Sequence, residues 1–416
     1  MNQRPGKHWP GALPVVGVGL TLVLTSGFAL LCPSNSAYAD DPRGKGCGWI
    51  PCLSRAVCAQ ASVASSDADD FANSPALVNV EQILGSPASA RRWVQIGQAL
   101  FAANQIEKAR YCFEKAVDLG PRSPPVLLEA ATFYHATGRR ADGFDRMKRV
   151  LAVTREYDKV IFAFYGRIAD VPVVLAQGLP QDGSAGRAYF LHLLEGRDLR
   201  AARLTWEWLS VHGYLDAVVV RRYLLLLLDD QLYDEATAAF ARFLPSPERP
   251  SGDNRITHGG FEASPGGLPL DWVITANPHA QALRDDSCAW EGAWSLRIGF
   301  DGQENLEYRH AAQQAIVSPG RWRLAARIRT QGITSDQGIG LRIFDARSAS
   351  RWQTWSGNVT GDSAWTLVEE SVVVPPETRL VQIEIVRRPS RKLDNRLGGV
   401  AWIDAVSLTP LGARSL

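Results

Sequence analysis

The chain has 416 residues, is 46% hydrophobic and 21% charged, and carries a formal net charge of +2. This length exceeds one ordinary domain, the composition is that of a folded globular chain, and the small net charge excludes a nucleic-acid binder driven by overall charge. Thirteen Trp beside two Met hint at a carbohydrate- or peptide-facing surface.

Arg4 and Lys7 precede an apolar run from Ala12 to Leu31, and Ser36-Ala37-Tyr38-Ala39-Asp40 follows. A charged start, an apolar stretch and an A-x-A site form the pattern of a secretory signal peptide. It predicts removal of residues 1–39. The rival reading keeps residues 12–31 as an inner-membrane anchor, since about 20 apolar residues span a bilayer. A lipoprotein at Cys32 needs a small preceding residue, and Leu31 is not small. Every one of these readings exports the folded part, to a periplasmic or extracellular location. Contact with a membrane follows only if the segment stays uncleaved.

Residues 40–89 read as a Cys-containing flexible leader, rich in Ala, Ser and Asp, with one short helix around Val80 to Leu84. In an oxidising compartment a local disulfide among Cys47, Cys52 and Cys58 is expected. With Cys112 and Cys288, five cysteines remain after cleavage, so at least one is unpaired or pairs between chains. Zinc is not expected, because no His lies near the cluster and its spacing is not C-x2-C.

From residue 90 the pattern turns helical. Trp93, Ile96 and Leu100 share one helix face. Gly97 and Ala109 are small enough for two helices to cross closely, Phe113 and Ala116 face back from the second helix, and Pro121 stops it. This spacing resembles the tetratricopeptide repeat, with Leu100 in place of the usual Tyr. Weaker copies follow at Leu127, Ala130, Ala131, Tyr134, Gly143, Met147 and Val150, then at Ala188, Tyr189, Gly196 and Ala201, then at Leu224, Leu227, Ala236, Phe240 and Phe243. A lone helix pair cannot bury its apolar face, so residues 90–245 are expected to stack as an α-solenoid whose groove holds a protein or peptide. Of Trp206 and Trp208, one is expected in the core and the other partly in solvent.

Residues 246–253 are rich in Pro, Ser and Gly and read as a linker. Beyond them the period becomes two. Trp294, Leu296, Ile298 and Phe300 fall on one face of a strand, as do Trp322, Leu324, Ala326 and Ile328. Six or more short strands with turn residues between them argue an antiparallel β-sandwich over 254–416. The fold class is therefore multidomain, α then β.

HGGFE at His258 to Glu262, then LDWVI, GAWSLRIGF, VSPGRWRLAARIRTQG and finally AWIDAVSL at Ala401 to Leu408, resemble in order and spacing the carbohydrate-binding-module branch of the galactose-binding-like jelly rolls. The resemblance covers about residues 254–410. It implies a structural Ca²⁺ on Glu262 and Asp404, although His258 replaces the usual Asn and Ala405 the second Asp. Calcium needs six to eight oxygens, so backbone carbonyls have to complete the set.

Sugar binding needs flat aromatic faces and planar hydrogen-bonding side chains. Trp352 and Trp355, in a polar stretch after a strand, are the expected platform, with polar contacts from Tyr308, Arg342 and Gln382. Trp272, Trp294, Trp365 and Trp402 occupy apolar strand positions and are expected in the core. An arginine stripe, Arg321, Arg323, Arg327 and Arg329, fits an anionic polysaccharide or a solvated sheet face.

No H-E-x-x-H, G-x-S-x-G or P-loop occurs. Glu369 and Glu370 are adjacent on a strand and so point to opposite faces. Asp285-Asp286 has no evident partner. The expectation is a non-catalytic exported bacterial adaptor that binds a protein through its helices and a glycan through its sandwich, in cell-envelope or exopolysaccharide assembly. The alternatives are a structural scaffold with no sugar site, and a glycan-active hydrolase.

Overall fold

The computed structural model describes residues 87–244, 253–393 and 395–412. The expected signal peptide, residues 40–86 of the leader with Cys47, Cys52 and Cys58, and the linker apart from Asp253 lie outside the described residues. The described residues divide into two compact units, which part between Arg146 and Met147.

In the first unit α1 (Ala90–Ala102), α2 (Ile106–Leu119) and α3 (Pro124–Ala136) succeed one another across short turns, and α4 (Arg140–Val153) begins. The repeat signature works through packing. A Cβ at Gly97 would lie 3.0 Å from the Phe113 ring, so only glycine lets α1 and α2 meet there. Ala109 and Ala116 are wholly buried, and Phe113 stacks on Phe133 with centroids 4.6 Å apart. Ile96 is buried, while Trp93 and Leu100 are half-buried. Trp93 donates its indole N–H to the Pro87 carbonyl at 2.8 Å. Pro121 lies in the turn between α2 and α3, and Pro124 opens α3 at a position that needs no N–H.

The second unit continues with α5 (Asp158–Ile168), a short turn Val171–Val173 running into a π-type turn Val174–Gly178, α6 (Ser184–Glu195), α7 (Leu199–Val211), α8 (Ala217–Asp229) and α9 (Tyr233–Phe243). Asp198 and Asp216 start α7 and α8 by accepting hydrogen bonds from Ala201 N at 3.0 Å and Val219 N at 2.9 Å. Leu224, Leu227, Ala236 and Phe240 are buried, as the periodicity requires. Trp206 is buried against Phe190 and Tyr223, whereas Trp208 is half-buried beside His212 and Tyr214. No helix among the described residues is long and apolar enough to cross a membrane.

The β part is a jelly roll of two five-stranded antiparallel sheets. The first runs in the order β1 (Val273–Ile274), β4 (Tyr308–Ile316), β9 (Leu380–Arg387), β6 (Ile339–Asp345), β7 (Gln353–Val359). The second runs β2 (Ala280–Asp285), β3 (Ser295–Asp301), β10 (Gly398–Pro410), β5 (Gly320–Ile333), β8 (Gly361–Val374). Alternating positions fill the space between the sheets, among them Leu296, Ile298, Leu324, Ile328, Leu341, Ile343, Ile383, Ile385 and Ile403.

The expectation of four core tryptophans is corrected. Trp272 is wholly buried in the core. Trp402 lies between Ala401 and Ile403, both in the core, so the period-two alternation turns it to the outer face of the second sheet. Trp365 has the opposite parity to the core residue Val368 and faces out as well. Trp294 precedes β3 and lies under the Arg284 guanidinium, 4.1 Å from its ring centroid.

Helices α8 and α9 pack on the sandwich through a cluster that joins Leu224, Tyr233 and Phe240 to Leu268, Leu270 and Leu380. Arg347 closes this junction. Its guanidinium donates to the Leu228 carbonyl at 2.9 Å, the Asp229 carbonyl at 3.0 Å and the Tyr233 hydroxyl at 3.2 Å, so a cation sits at the negative end of α8. Asp345 holds the Arg347 loop. It is 1% exposed and accepts from Thr378 Oγ1 at 2.7 Å, Arg347 N at 2.9 Å and Arg351 Nη1 at 2.9 Å. Burial, the largest influence, pushes its pKa up, but these donors outweigh burial and hold it below the ordinary carboxylate value. A depressed folded-state pKa contributes stability above the unfolded value, near 3.9, that is lost as pH falls through the folded value. Asp345→Asn is therefore expected to lower the melting temperature at pH 7 and to flatten its dependence on pH below about 4. Melting curves from pH 7 to pH 2 check this; a wild-type acid limb retained in the variant contradicts it.

Candidate functional site

The outer face of the first sheet carries an ordered set of polar and aromatic side chains. Leu380 and Ile316 lie under α8 and α9, together with Ala346. The next cross-strand row is Gln314, Gln382, Phe344 and Gln353, taken from β4, β9, β6 and β7. The row after it is Ala312, Glu384, Arg342 and Trp355. The registers alone place these residues side by side, since directly opposed positions on one sheet face are neighbours.

Hydrogen bonds lock the two rows together. Arg342 Nη1 lies 3.2 Å from Glu384 Oε2, and Arg342 Nη2 donates to Gln353 Oε1 at 2.9 Å. Gln382 Nε2 donates to Glu384 Oε1 at 2.8 Å. The Arg342 guanidinium sits 4.2 Å from the Phe344 ring centroid and 4.9 Å from that of Trp355. Arg388, exposed just after β9, lies 5.2 Å from the same ring centroid. The Arg342 and Glu384 side chains are only 12% and 7% exposed, so the ion pair is the floor of the site. Trp355, Gln382 and Gln314 are half-buried and Gln353 is exposed, so they form its accessible surface. A half-exposed aromatic ring beside fixed amides and guanidinium groups is suited to a sugar: C–H groups meet the indole, and hydroxyls exchange hydrogen bonds with the planar groups.

Three of the expected glycan residues, Trp355, Arg342 and Gln382, therefore meet on one face. Two do not. Tyr308 is 1% exposed in the core between the sheets, edge-on to Phe300, because a β-bulge after Tyr308 turns it inward. Burial raises the pKa of its phenol. Trp352 packs partly buried against the same core, just ahead of β7. Glu384, Gln353, Gln314 and Arg388 escaped the sequence reading. The alternation in LVQIEIV does place Gln382 and Glu384 on one face, and that was the available signal.

Glu262 and Asp404 come together beside β10, the central strand of the second sheet, but their oxygens face N–H donors. Glu262 accepts from Ala293 N at 3.0 Å and Trp294 N at 3.1 Å. Asp404, wholly buried, accepts from Trp290 N at 2.7 Å, Glu291 N at 3.2 Å and Ala405 N at 2.6 Å. Burial pushes the Asp404 pKa up against these donors. Among the described residues no group of three or more His, Cys, Asp or Glu is arranged to hold a metal. Two carboxylates already turned to backbone amides do not make the six- to eight-oxygen cage of calcium. They pin the 290–294 loop instead. The motifs that open and close the sandwich also meet here: a Cβ at Gly259 would lie 2.0 Å from the Val406 carbonyl oxygen, so HGGFE docks flush on IDAVS.

The acidic pairs do not converge on a reactive position. Glu369 pairs with Arg323, while Glu370 lies opposite Leu324 on β5. Asp285 accepts from the Trp402 indole N–H at 2.7 Å and from the Ser287 hydroxyl at 2.7 Å. Burial raises its pKa, and these bonds outweigh burial to leave it below the ordinary value. Cys112 is buried and Cys288 half-buried, both as free thiols.

The chain matches no protein-family model and no curated protein. Solved structures similar to it include carbohydrate-binding modules, matched over the C-terminal sandwich, and a tetratricopeptide repeat protein. TmCBM61 in complex with β-1,4-galactotriose is 16% identical, with 38% of this chain and 100% of that chain covered and a TM-score of 0.28. The C-terminal family 22 carbohydrate-binding module of Clostridium thermocellum Xyn10B is 14% identical, with 39% and 98% covered and a TM-score of 0.27. YrrB, a TPR protein with an unusual peptide-binding site, is 13% identical, with 39% and 89% covered and a TM-score of 0.22.

Proposed function

We propose that this protein is a non-catalytic adaptor that binds a glycan on the outer face of the β1–β4–β9–β6–β7 sheet and a protein or peptide through its helix pairs. The observation that carries the glycan half is the Arg342–Glu384–Gln382–Gln353 network, which is fixed beside the half-exposed indole of Trp355. Burying an ion pair on an outer sheet face costs desolvation. In return the polar groups need no reordering when a sugar arrives, and preorganisation of that kind is what raises affinity. Export through residues 1–39 belongs to the same reading, as does a place in cell-envelope or exopolysaccharide assembly. The support for both is the leader sequence and the glycan face taken together.

A second reading, a scaffold without a sugar site, draws on the junction of α8 and α9 with the sandwich, where Leu268, Leu270 and Leu380 join the helical core. The full-length chain, run on affinity gels containing neutral plant and bacterial polysaccharides, separates the two. Retention by at least one neutral polysaccharide is expected, and Trp355→Ala should weaken it about tenfold or more, which is 1.4 kcal/mol. Gln382→Ala should weaken it as well, with the melting temperature of each variant as the folding control. If no polysaccharide retards the wild type, the scaffold reading replaces the adaptor.

A further inference from the structure

We propose that the outer face of the other sheet, β2–β3–β10–β5–β8, is a second saccharide-binding surface, selective for carboxylate-bearing sugars and centred on Arg327 and Arg329. Residues 251–416 balance eighteen acidic against eighteen basic side chains, so the argument rests on local placement and not on total charge.

On this face arginines and tryptophans alternate. Leu283, Arg297, Trp402 and Arg329 form one cross-strand row. Arg329 lies 5.6 Å from the Trp402 ring centroid, and Arg327 lies 4.2 Å from that of Trp290. A guanidinium stacked on an aromatic ring keeps its in-plane N–H donors for a carboxylate, which it can grip with two parallel bonds. Two neighbouring arginines are already matched: Arg323 pairs with Glu369, and Arg297 lies 3.8 Å from Asp285. Among the described residues no carboxylate lies within ion-pair distance of Arg327 or Arg329; Arg329 donates to the Cys288 sulfur at 3.4 Å.

The tryptophan beside them is held exposed. Trp290 is 45% exposed and meets Trp365 edge-on, with centroids 6.4 Å apart. A mobile loop would fold so large an apolar ring away from water. Here the backbone N–H of Trp290 is tied to the buried Asp404 carboxylate, and the N–H groups of Glu291 and Ala293 are tied to Asp404 and Glu262. The carboxylates that would otherwise serve a metal therefore position an aromatic ring over Arg327. The apolar area is broken up by cations, which disfavours a lipid or a hydrophobic protein face and matches a sugar that presents C–H groups on one side and a carboxylate at its edge. Beyond Arg297 the face continues into a shallow, open depression of about 500 Å³ lined by Gln281, Gly299, His279 and Asp301, so a chain of more than one sugar unit has room.

The test uses the full-length chain with two polymers of the same backbone, polygalacturonate and its fully methyl-esterified form. Titration calorimetry should show the acid polymer binding about tenfold tighter or more than the ester, in line with the added strength of a charge-assisted bond. Arg327→Gln combined with Arg329→Gln should remove that difference, and Trp290→Ala should weaken both polymers. Trp355→Ala, on the other sheet, should leave polygalacturonate binding unchanged, which keeps this proposal separate from the neutral-glycan face. Melting temperatures confirm that each variant is folded. Equal binding of acid and ester overturns the proposal, as does loss of acid binding in Trp355→Ala. Dextran sulfate or single-stranded DNA binding as tightly as polygalacturonate would show an unselective anion patch and overturn it too.

Discussion

Arg387→Met is expected to unfold or severely destabilise the sandwich, by about 3–5 kcal/mol. Arg387 is 1% exposed and faces the core side of β9, yet it has no carboxylate partner at ion-pair distance among the described residues. Its charge is spread over five neutral acceptors. Nε donates to the Gln337 carbonyl at 3.1 Å, Nη1 to Asn305 Oδ1 and the Leu306 carbonyl at 2.7 Å each, and Nη2 to Ser335 Oγ at 2.8 Å and the Asn395 carbonyl at 3.1 Å. All five donors of the fork are used, so one side chain ties three loops together at one end of the sandwich. Burial lowers its pKa from the ordinary arginine value, and Asp336 pushes it back up. Methionine fills a similar volume but leaves the acceptors facing each other in a dry site. Lysine keeps the charge but has three donors and no plane, so Arg387→Lys should fall between Met and the wild type. At about 2–4 °C per kcal/mol for a unit of this size, the Met variant should melt about 10 °C or more below the wild type. Calorimetry reads this directly. A drop of only a degree or two would show that the loops hold without the guanidinium.

Asp404→Ala is expected to cost about 3 kcal/mol, because Trp290 N, Glu291 N and Ala405 N lose their acceptor in a site with no exposure. Ala405 also sits at φ 50° in the bulge of β10, a conformation an L-residue keeps only when its surroundings impose it. Asp404→Asn retains one carbonyl acceptor and is expected to lose half as much or less. The Ala variant should also release Trp290, seen as a red shift and increased quenching of tryptophan fluorescence. Added calcium should not restore either variant or raise the wild-type melting temperature, since the carboxylates are turned to amides. A calcium-dependent rise in the wild type would show that the pinned loop is displaced by a cation.

The two readings of the sandwich separate by position. The proposed neutral-sugar site is the Trp355 face, which adjoins the helices through Leu380 and Ala346. The proposed acidic-sugar site is the Trp290 face on the opposite sheet. An adaptor with one face of each kind can bridge two kinds of polymer, or two regions of one.

The sequence by itself determined the order of classes and the packing residues. Helical periodicity with small residues at Gly97 and Ala109 forces close helix pairs, and the buried set in α1 and α2 follows from it. Period-two alternation in RWRLAARIR selected Trp322, Leu324, Ala326 and Ile328 as core, because side chains on a strand can only alternate. The same periodicity does not say which face of a strand is inward when both faces carry apolar residues. That is why the pattern alone assigns Trp402 and Trp365 to the core and Trp352 to the surface. Only the tertiary structure decided these, through register: the pairing of Arg342 with Glu384 and Trp355, and the bulge that turns Tyr308 inward, depend on strands far apart in the chain. The same holds for Asp404 and Glu262. Their local motif fits a cation, and it takes the amides of a loop more than a hundred residues from Asp404 to show where their oxygens go.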